Sequence, residues 1–567
     1  MRSRAALPVL LFLALCPYFI DLGGSSIWDA NEAFYVETPR EMIERGDYIN
    51  PTFNYEPRLN KPVLSYWIVA AFFNVLGVSP GVQRIPIAIG GLVLIAIAFV
   101  LARAAAPAGR SAAGEGGPAV ARAAAWWAAL GLAVSPRLLM FARRIFIDIY
   151  ITMFMALTLA CFALAERYPA RRRVFLVLMY VSVGLGVLTK GPIAVALPGL
   201  AFAVYLAAHR ELGRMREMLL PLGALIVAAI VVPWYAALYQ QAGWDPIKAF
   251  LIGENVARFV EGTGVNADHR GLFFYLPVVF SDSFPWSFLL VPAAVMWVRD
   301  RSGTAAAATD QRVRALLWIW IVVMVGFFSL SAGKQDLYIF PIVPAVAALA
   351  GIAIARVVSA GTGGAGRTGM RPAIGAIGVV LVVIGAAFFA LFHGPFAVYV
   401  LDGSATIGVI VMTAGAATLV LAASDRIVGA LHVTAAALAI ASWVFVLRVL
   451  PSFEAYKPAP ALAASLQRLA RPDDLIVTYN VALPSLVYYL RRHTAVYYDH
   501  EPVLDLLKLN RPLYLLLTSD DYDRIIAPAT PVPLCRIASQ PTFDVKLRNV
   551  LSRTRLPEVL LVTNRCR

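Results

Sequence analysis

The stretch PVLSYWIVAAFFNVLG, residues 62–77, decides how the rest of the chain is threaded. It is apolar throughout, yet shorter than the ~20 residues a helix needs to cross a bilayer. Around it lie runs that read as spans near residues 5–22, 85–102, 123–140, 149–165, 174–189, 192–208, 218–236, 284–298, 315–331, 339–355, 373–392, 405–423 and 427–449. If residues 62–77 lie along the interface, the Arg-bearing connectors at 103–122, 166–173, 209–217, 299–314 and 356–371 all share the side of Arg2 and Arg4. If the stretch crosses, they all fall opposite the N-terminus. Loops rich in Lys and Arg stay on the cytoplasmic side, so the first threading is preferred, and Tyr66 and Trp67 suit a helix lying at the interface.

Composition agrees with a polytopic α-helical membrane protein of about thirteen transmembrane helices. Hydrophobic residues make up 60% of the 567, and charged residues only 15%, which excludes an ordinary soluble fold. The net charge of +15 sits in short clusters between apolar runs, where loop retention explains it, so nucleic acid is not an expected partner. The run Leu7–Ile20 behind Arg2 and Arg4 resembles a signal peptide, but Leu15 is too large for the small-residue cleavage position, and an uncleaved first helix is expected.

After residue 450 the pattern changes. "DDLIVTYN", "TAVYY", "RPLYLLLTS" and "EVLLVTN" read as strands alternating with the helix-like "LPSLVYYLRRH" and "PVLDLLKLN". Residues 1–450 therefore form a membrane domain, and residues 451–567 a soluble α/β domain on the outer side, where Cys535 and Cys566 are able to pair. No Cys or His spacing supports a divalent metal, and no cofactor is expected.

With this threading the outer face collects charge, in a first outer loop (23–84) with two interfacial helices and a second at 237–283. In "WDANEAFY" (28–35), Asn31 suits a helix N-cap and Glu32 the positive end of its dipole, leaving Asp29 without an ordinary structural role. A carboxylate held at the membrane surface is placed for general-base work. Arg58 and Lys61 either snorkel to head groups or bind a lipid phosphate. Asp148 follows Arg143 and Arg144 at the mouth of a span, where ionisable groups are costly unless they pair or face water. Glu254, Asn255, Arg258, His269 and Arg270 read as a polar loop over a polar substrate, and Lys334 with Tyr338 as one helical face in a turn between spans. No outward Gly-rich nucleotide loop appears, so a transferase here needs a donor already carried across on lipid.

The series "NEAFYVETPREMIERGDYINPTFNYEPRLNKPVLSYW" (31–67), Asp148, "LTKGPIAVALP" (188–198), "PWY" (233–235), "GENVARF" (253–259) with "DHRG" (268–271), "FPW" (284–286) and "SAGKQDLYIFPIVP" (331–344) resembles the polyprenol-phosphate-dependent GT-C glycosyltransferases, the family of protein O-mannosyltransferases and aminoarabinose–lipid A transferases. The resemblance covers roughly the first 350 residues. It implies a monomeric, multi-pass enzyme of the bacterial inner membrane, with active site and C-terminal domain facing the periplasm. Such an enzyme passes a sugar with inversion from an undecaprenyl-phosphate-linked donor to an acceptor lipid or glycan, and 4-amino-4-deoxy-L-arabinose on lipid A is the leading expectation. It also implies a first-loop carboxylate as base, Asp148 in support, and Lys61, Arg258 and Tyr338 on the carrier phosphate. The family's Asp-Glu pair falls on Asn31-Glu32, and an amide accepts no proton at neutral pH, so Asp29 is the first expectation for the base and Glu32 the second.

The assignments read from the sequence are therefore Asp29, Glu32 and Asp148 for catalysis; Arg58, Lys61, Arg258, Lys334 and Tyr338 for the lipid phosphate; and Asn31, Tyr35, Arg143, Glu254, Asn255, His269 and Arg270 for sugar or acceptor. A polar-lipid flippase is the alternative class. It requires ionisable groups deep within spans and matching halves, whereas here the charges sit at span ends.

Overall fold

Two helices occupy the first outer loop in the computed structural model of the chain: α1 (Asn31–Arg45) and α2 (Leu64–Leu76). The structure describes residues 6–29, 31–106, 117–144, 147–260, 270–299, 305–359, 366–394, 397–509, 511–530, 532–543 and 556–566, the side chains of 258, 305–308 and 366–368 excepted. At a rise of ~1.5 Å per residue α2 reaches only about 20 Å, short of the ~30 Å hydrocarbon layer. It ends at Gly77, whose φ of +85° a side chain would strain, and its Val69 and Phe73 pack against Ile27, Ala33 and Val36 around α1. Trp67 donates its indole N–H to the Tyr48 carbonyl at 2.7 Å, tying α2 back to the loop that precedes it. Between the two helices, β1 (Thr52–Phe53) and β2 (Glu56–Pro57) form an antiparallel hairpin. Its turn residues Asn54 and Tyr55 both have positive φ, near +60°. Tyr55 holds this conformation by donating its N–H to Glu41 at 3.1 Å, while its hydroxyl accepts from Arg40 at 3.0 Å.

Among the described residues nine helices are long and apolar enough to cross a membrane, and eleven if two bent pairs each count as one span. The bent pairs are Gly117–Ala133 with Pro136–Arg143, at 60°, and Leu272–Asp282 with Trp286–Arg299, at 107°. The runs expected at 5–22 and 192–208 are the shorter apolar helices Ala6–Tyr18 and Ile193–Ala208, so each of the thirteen expected spans coincides with a helical element.

Two spans order the faces of the molecule: α3 (Ile147–Arg167) and α4 (Arg172–Lys190). Asp148 opens α3 and Glu166 closes it, which separates them by about 27 Å at the ~1.5 Å helical rise. Around Glu166 the connectors gather: its carboxylate accepts from Arg172 at 2.6 Å, Arg214 at 2.7 Å and Tyr205 at 2.9 Å. Arg214 and Arg312 both also hold Glu211. The Arg-rich connectors 166–173 and 209–217 thus lie at one end of the spans, and Asp148 lies at the other.

The C-terminal residues build a five-stranded sheet of β3 (Leu475–Tyr479), β4 (Ala495–Tyr497), β5 (Leu513–Thr518), β6 (Cys535–Pro541) and β7 (Glu558–Thr563), in the order β4-β3-β5-β7-β6. β3 is parallel to β4 and β5, with Thr478 beside Val496 and Val477 beside Leu515, whereas β7 runs antiparallel to β5 and β6. The strand not expected from the sequence is β6: its CRIASQP is half-buried and lacks an apolar run. Cys535 and Cys566 form a disulfide with their Cα atoms 5.4 Å apart, joining β6 to the end of the chain beyond β7.

This domain sits on the first outer loop. A short helix, α5 (Ser485–Leu490), sets Tyr488 and Tyr489 against the Ile27, Ala33, Val36, Val69 and Phe73 cluster. The Tyr489 hydroxyl accepts the Ile27 N–H at 3.0 Å. The Asn54 side chain both donates to and accepts from the Thr494 backbone, each bond at 2.9 Å, and His493 meets Glu56 at 3.1 Å.

Candidate active site

A cavity of about 1380 Å³ lies where the span ends that carry Asp148 and Lys190, the loops 23–84 and 237–283 and the C-terminal domain meet. Its polar wall is assembled from distant parts of the chain: Asn31, Tyr35, Arg58 and Lys61 from the first loop, Asp148 and Lys190 from α3 and α4, Glu254, Asn255 and Arg270 from the second outer loop, and Asp336 and Tyr338 from a turn between spans. Nine of the residues assigned from the sequence are among these. Ile151, Met155, Leu197, Phe327 and Phe328 supply an apolar wall that continues into the spans.

The charges are organised as pairs. Lys61 donates to Glu254 at 3.0 Å and to the Asn60 carbonyl at 2.8 Å, joining the two outer loops. Asp148, only 6% exposed, pairs with Lys190, whose ammonium stands 5.3 Å from the centre of the Tyr338 ring. The Arg58 guanidinium lies 3.9 Å above Phe34, which orients it without neutralising it. Asp336 pairs with Arg137, and Arg137 reaches the buried Asp282 at 3.2 Å. Tyr35 stacks on Tyr66 with ring centres 5.6 Å apart, and burial pushes its phenol well above the usual range, so it remains a neutral hydroxyl. Asn255 sits in the π-helical turn Ala249–Ala257, where its amide donates to the Phe250 carbonyl at 2.8 Å.

Four of the assigned residues bond elsewhere and do not line the cavity. Glu32 does not line the cavity: it is bonded to Arg84 at 2.7 Å and to the Trp28 N–H at 2.8 Å, with both Glu32 and Arg84 2% exposed. Asp29 does not line it either, because its carboxylate accepts the Ser485 N–H at 2.7 Å; burial raises its pKa to about 6, against the lowering effect of that bond and of Lys457. Arg143 caps the end of the first span through the carbonyls of Pro17, Ile20 and Asp21, at 2.6, 2.7 and 2.9 Å. Lys334 is 8% exposed and turned onto the Ser331 carbonyl at 2.6 Å. His269 and the Arg258 side chain lie outside the described residues.

Lys190 was missed as a site residue. The signal was present in "LTKGP": Lys190 ends a span and is followed by Gly191 at φ +91°, which turns the chain at the level of Asp148. The contribution of the C-terminal domain carried no such signal, because residues such as Val481, Pro484 and Thr494 become lining residues only through docking.

Residues 7–243 match the family model described as dolichyl-phosphate-mannose-protein mannosyltransferase. The crystal structure titled ArnT from Cupriavidus metallidurans bound to undecaprenyl phosphate superimposes with a TM-score of 0.74, covering 98% of each chain at 20% identity. The fold is that of the ArnT structure. An undecaprenyl phosphate-alpha-4-amino-4-deoxy-L-arabinose arabinosyl transferase of Pseudomonas fluorescens is 28% identical over 60% of this chain, and one of Pseudomonas aeruginosa is 29% identical over the same share. The matched region spans 56% of the Pseudomonas fluorescens protein's length. Asn31, the residue on which the sequence resemblance places an aspartate, lines the cavity.

Proposed function

We propose that this protein is a glycosyltransferase of the bacterial inner membrane that moves a sugar from an undecaprenyl-phosphate-linked donor to an acceptor at the periplasmic face. The sugar is 4-amino-4-deoxy-L-arabinose and the acceptor lipid A. One observation carries the reading: Arg58, Lys61, Lys190 and Arg270 converge with Asp148 and Tyr338 on a single cavity that also has an apolar wall continuous with the spans. A lipid tail runs along that wall while the cations hold its phosphate and stabilise it as the leaving group. The acceptor oxygen attacks the anomeric carbon, the bond from that carbon to the phosphate oxygen breaks, and undecaprenyl phosphate departs.

Where the acceptor is a hydroxyl, its proton needs a base. Asn31 cannot serve, and Asp29 and Glu32 point elsewhere, so we assign that role to Asp148, the most buried of the carboxylates lining the cavity. The ammonium of Lys190 bonds Asp148 and is within reach of the incoming phosphate, which couples donor binding to release of the base. The names of the curated relatives support the aminoarabinose, and the match of residues 7–243 to a protein mannosyltransferase model supports a polypeptide hydroxyl as the second acceptor.

The test is mass spectrometry of envelope lipids and glycans from cells with and without the protein, paired with purified protein, lipid-linked aminoarabinose and lipid A. Lipid A heavier by one aminoarabinose only when the protein is present is the expected result. Lipid A of unchanged mass in both settings overturns the acceptor, and an unchanged profile of every envelope species overturns the transferase.

A further inference from the structure

The two walls of the cavity differ in chemistry. Among the described residues, every lysine and arginine that lines it belongs to the membrane domain, and the C-terminal domain contributes Thr478, Val481, Pro484, Val487 and the 493–498 segment. The donor phosphate therefore has partners on one side only, and the apolar path for its tail leaves from that same side. What remains for the acceptor is the wall built by the C-terminal domain, where the His493 ring is bonded to Glu56.

That wall is held by a side chain outside the cavity. Leu483 and Pro484 line it, and the next residue, Ser485, begins α5. The first N–H groups of a helix have no partner within it. Asp29 supplies one, accepting the Ser485 N–H at 2.7 Å across 456 positions of sequence. The same junction carries the Tyr489–Ile27 bond and the packing of Tyr488 and Tyr489 on α1 and α2, so the carboxylate fixes where the wall stands relative to the first outer loop.

We propose that Asp29 is a positioning residue: by holding Ser485 it sets residues 481–487 of the C-terminal domain as the acceptor-side wall of the cavity. The proposal rests on the transferase reading above for what the wall binds, but not for the clip itself. Asparagine keeps an oxygen at the same place and still accepts the Ser485 N–H, whereas alanine does not. Asp29→Asn should then retain donor and acceptor KM and kcat within about threefold, since no proton moves through this group. Asp29→Ala should raise the KM for purified lipid A by about tenfold or more, with the KM for the lipid-linked sugar unchanged, because a displaced wall misplaces only one substrate.

Hydrogen exchange reads the clip without activity. Amides of 485–490 should exchange at least tenfold faster in Asp29→Ala than in the wild type or Asp29→Asn, a change that survives even if lipid A is not the acceptor. Loss of activity by ~10² or more in Asp29→Asn would make the residue a base and overturn the proposal. Equal exchange in all three proteins, or a parallel rise in both KM values for Asp29→Ala, would overturn it as well. Absence of transfer by the wild type, with the exchange difference intact, would instead overturn the transferase reading alone.

Discussion

Replacing Glu32 by glutamine leaves the Arg84 guanidinium buried without its counter-ion. The two groups are each 2% exposed and 2.7 Å apart, so water does not replace the lost charge. Arg84 keeps neutral acceptors: the carbonyls of Leu22, Ser25 and Ser26 at 2.7, 2.8 and 3.0 Å, and the Ser25 hydroxyl at 3.2 Å. Removing one partner of a buried pair costs ~3–5 kcal/mol, and the retained acceptors together with the remaining glutamine oxygen place this change near the lower end, at about 3 kcal/mol. Thermal unfolding of purified Glu32→Gln in detergent should show that loss as a drop in Tm of several degrees. Activity per folded molecule, measured well below Tm, should stay within about threefold, because the group does not reach the cavity. A variant with unchanged Tm but kcat lowered by ~10² or more, equivalent to ~2.7 kcal/mol in the transition state, would refute this and return Glu32 to the chemistry.

Lys190→Ala should weaken binding of undecaprenyl phosphate by about tenfold or more, since a hydrogen bond to a charged group is worth ~1.5–3 kcal/mol; titration of the purified protein with the carrier lipid reads it. Asn31→Asp places a carboxylate in the cavity beside Tyr35. If Asp148 alone serves as base, kcat should change by less than about tenfold, and a gain of ~10² would show that the native residue silences the enzyme. Asp29 is half-buried among Lys457, Glu32, Ser485 and Tyr489, and its pKa is raised to about 6, so its ionised form costs stability above that pH, and the cost is relieved as pH falls through 6 towards the ordinary value near 4. The neutral Asp29→Asn should therefore melt at a higher temperature than the wild type at pH 8 and at the same temperature by pH 4, as followed by differential scanning fluorimetry.

Much of the architecture is local and was readable in advance. The apolar runs, the short helix within 62–77 and the strands of the C-terminal domain except β6 depend on residue types within windows of a few to twenty positions. The site was readable in part. Lys61, Asp148, Glu254 and Tyr338 stood out as charge or polarity at span ends, and they do meet in the cavity. The partners of Asp29 and Glu32 were not readable because nothing near them in the sequence names them: Arg84 lies 52 positions from Glu32 and Ser485 lies 456 from Asp29.

The sequence by itself determined which segments enter the membrane and at which face the polar groups collect, because the cost of burying a charge in hydrocarbon is paid residue by residue wherever the chain runs. Only the tertiary structure decided which of those groups line the cavity and which bond one element to another. A carboxylate's role depends on the partner within ~3 Å of it, and that partner is chosen by how whole elements pack. Thus Glu32 is bonded to Arg84 and Asp29 to the C-terminal domain, while Asp148, in the first turn of its own span, is left at the cavity.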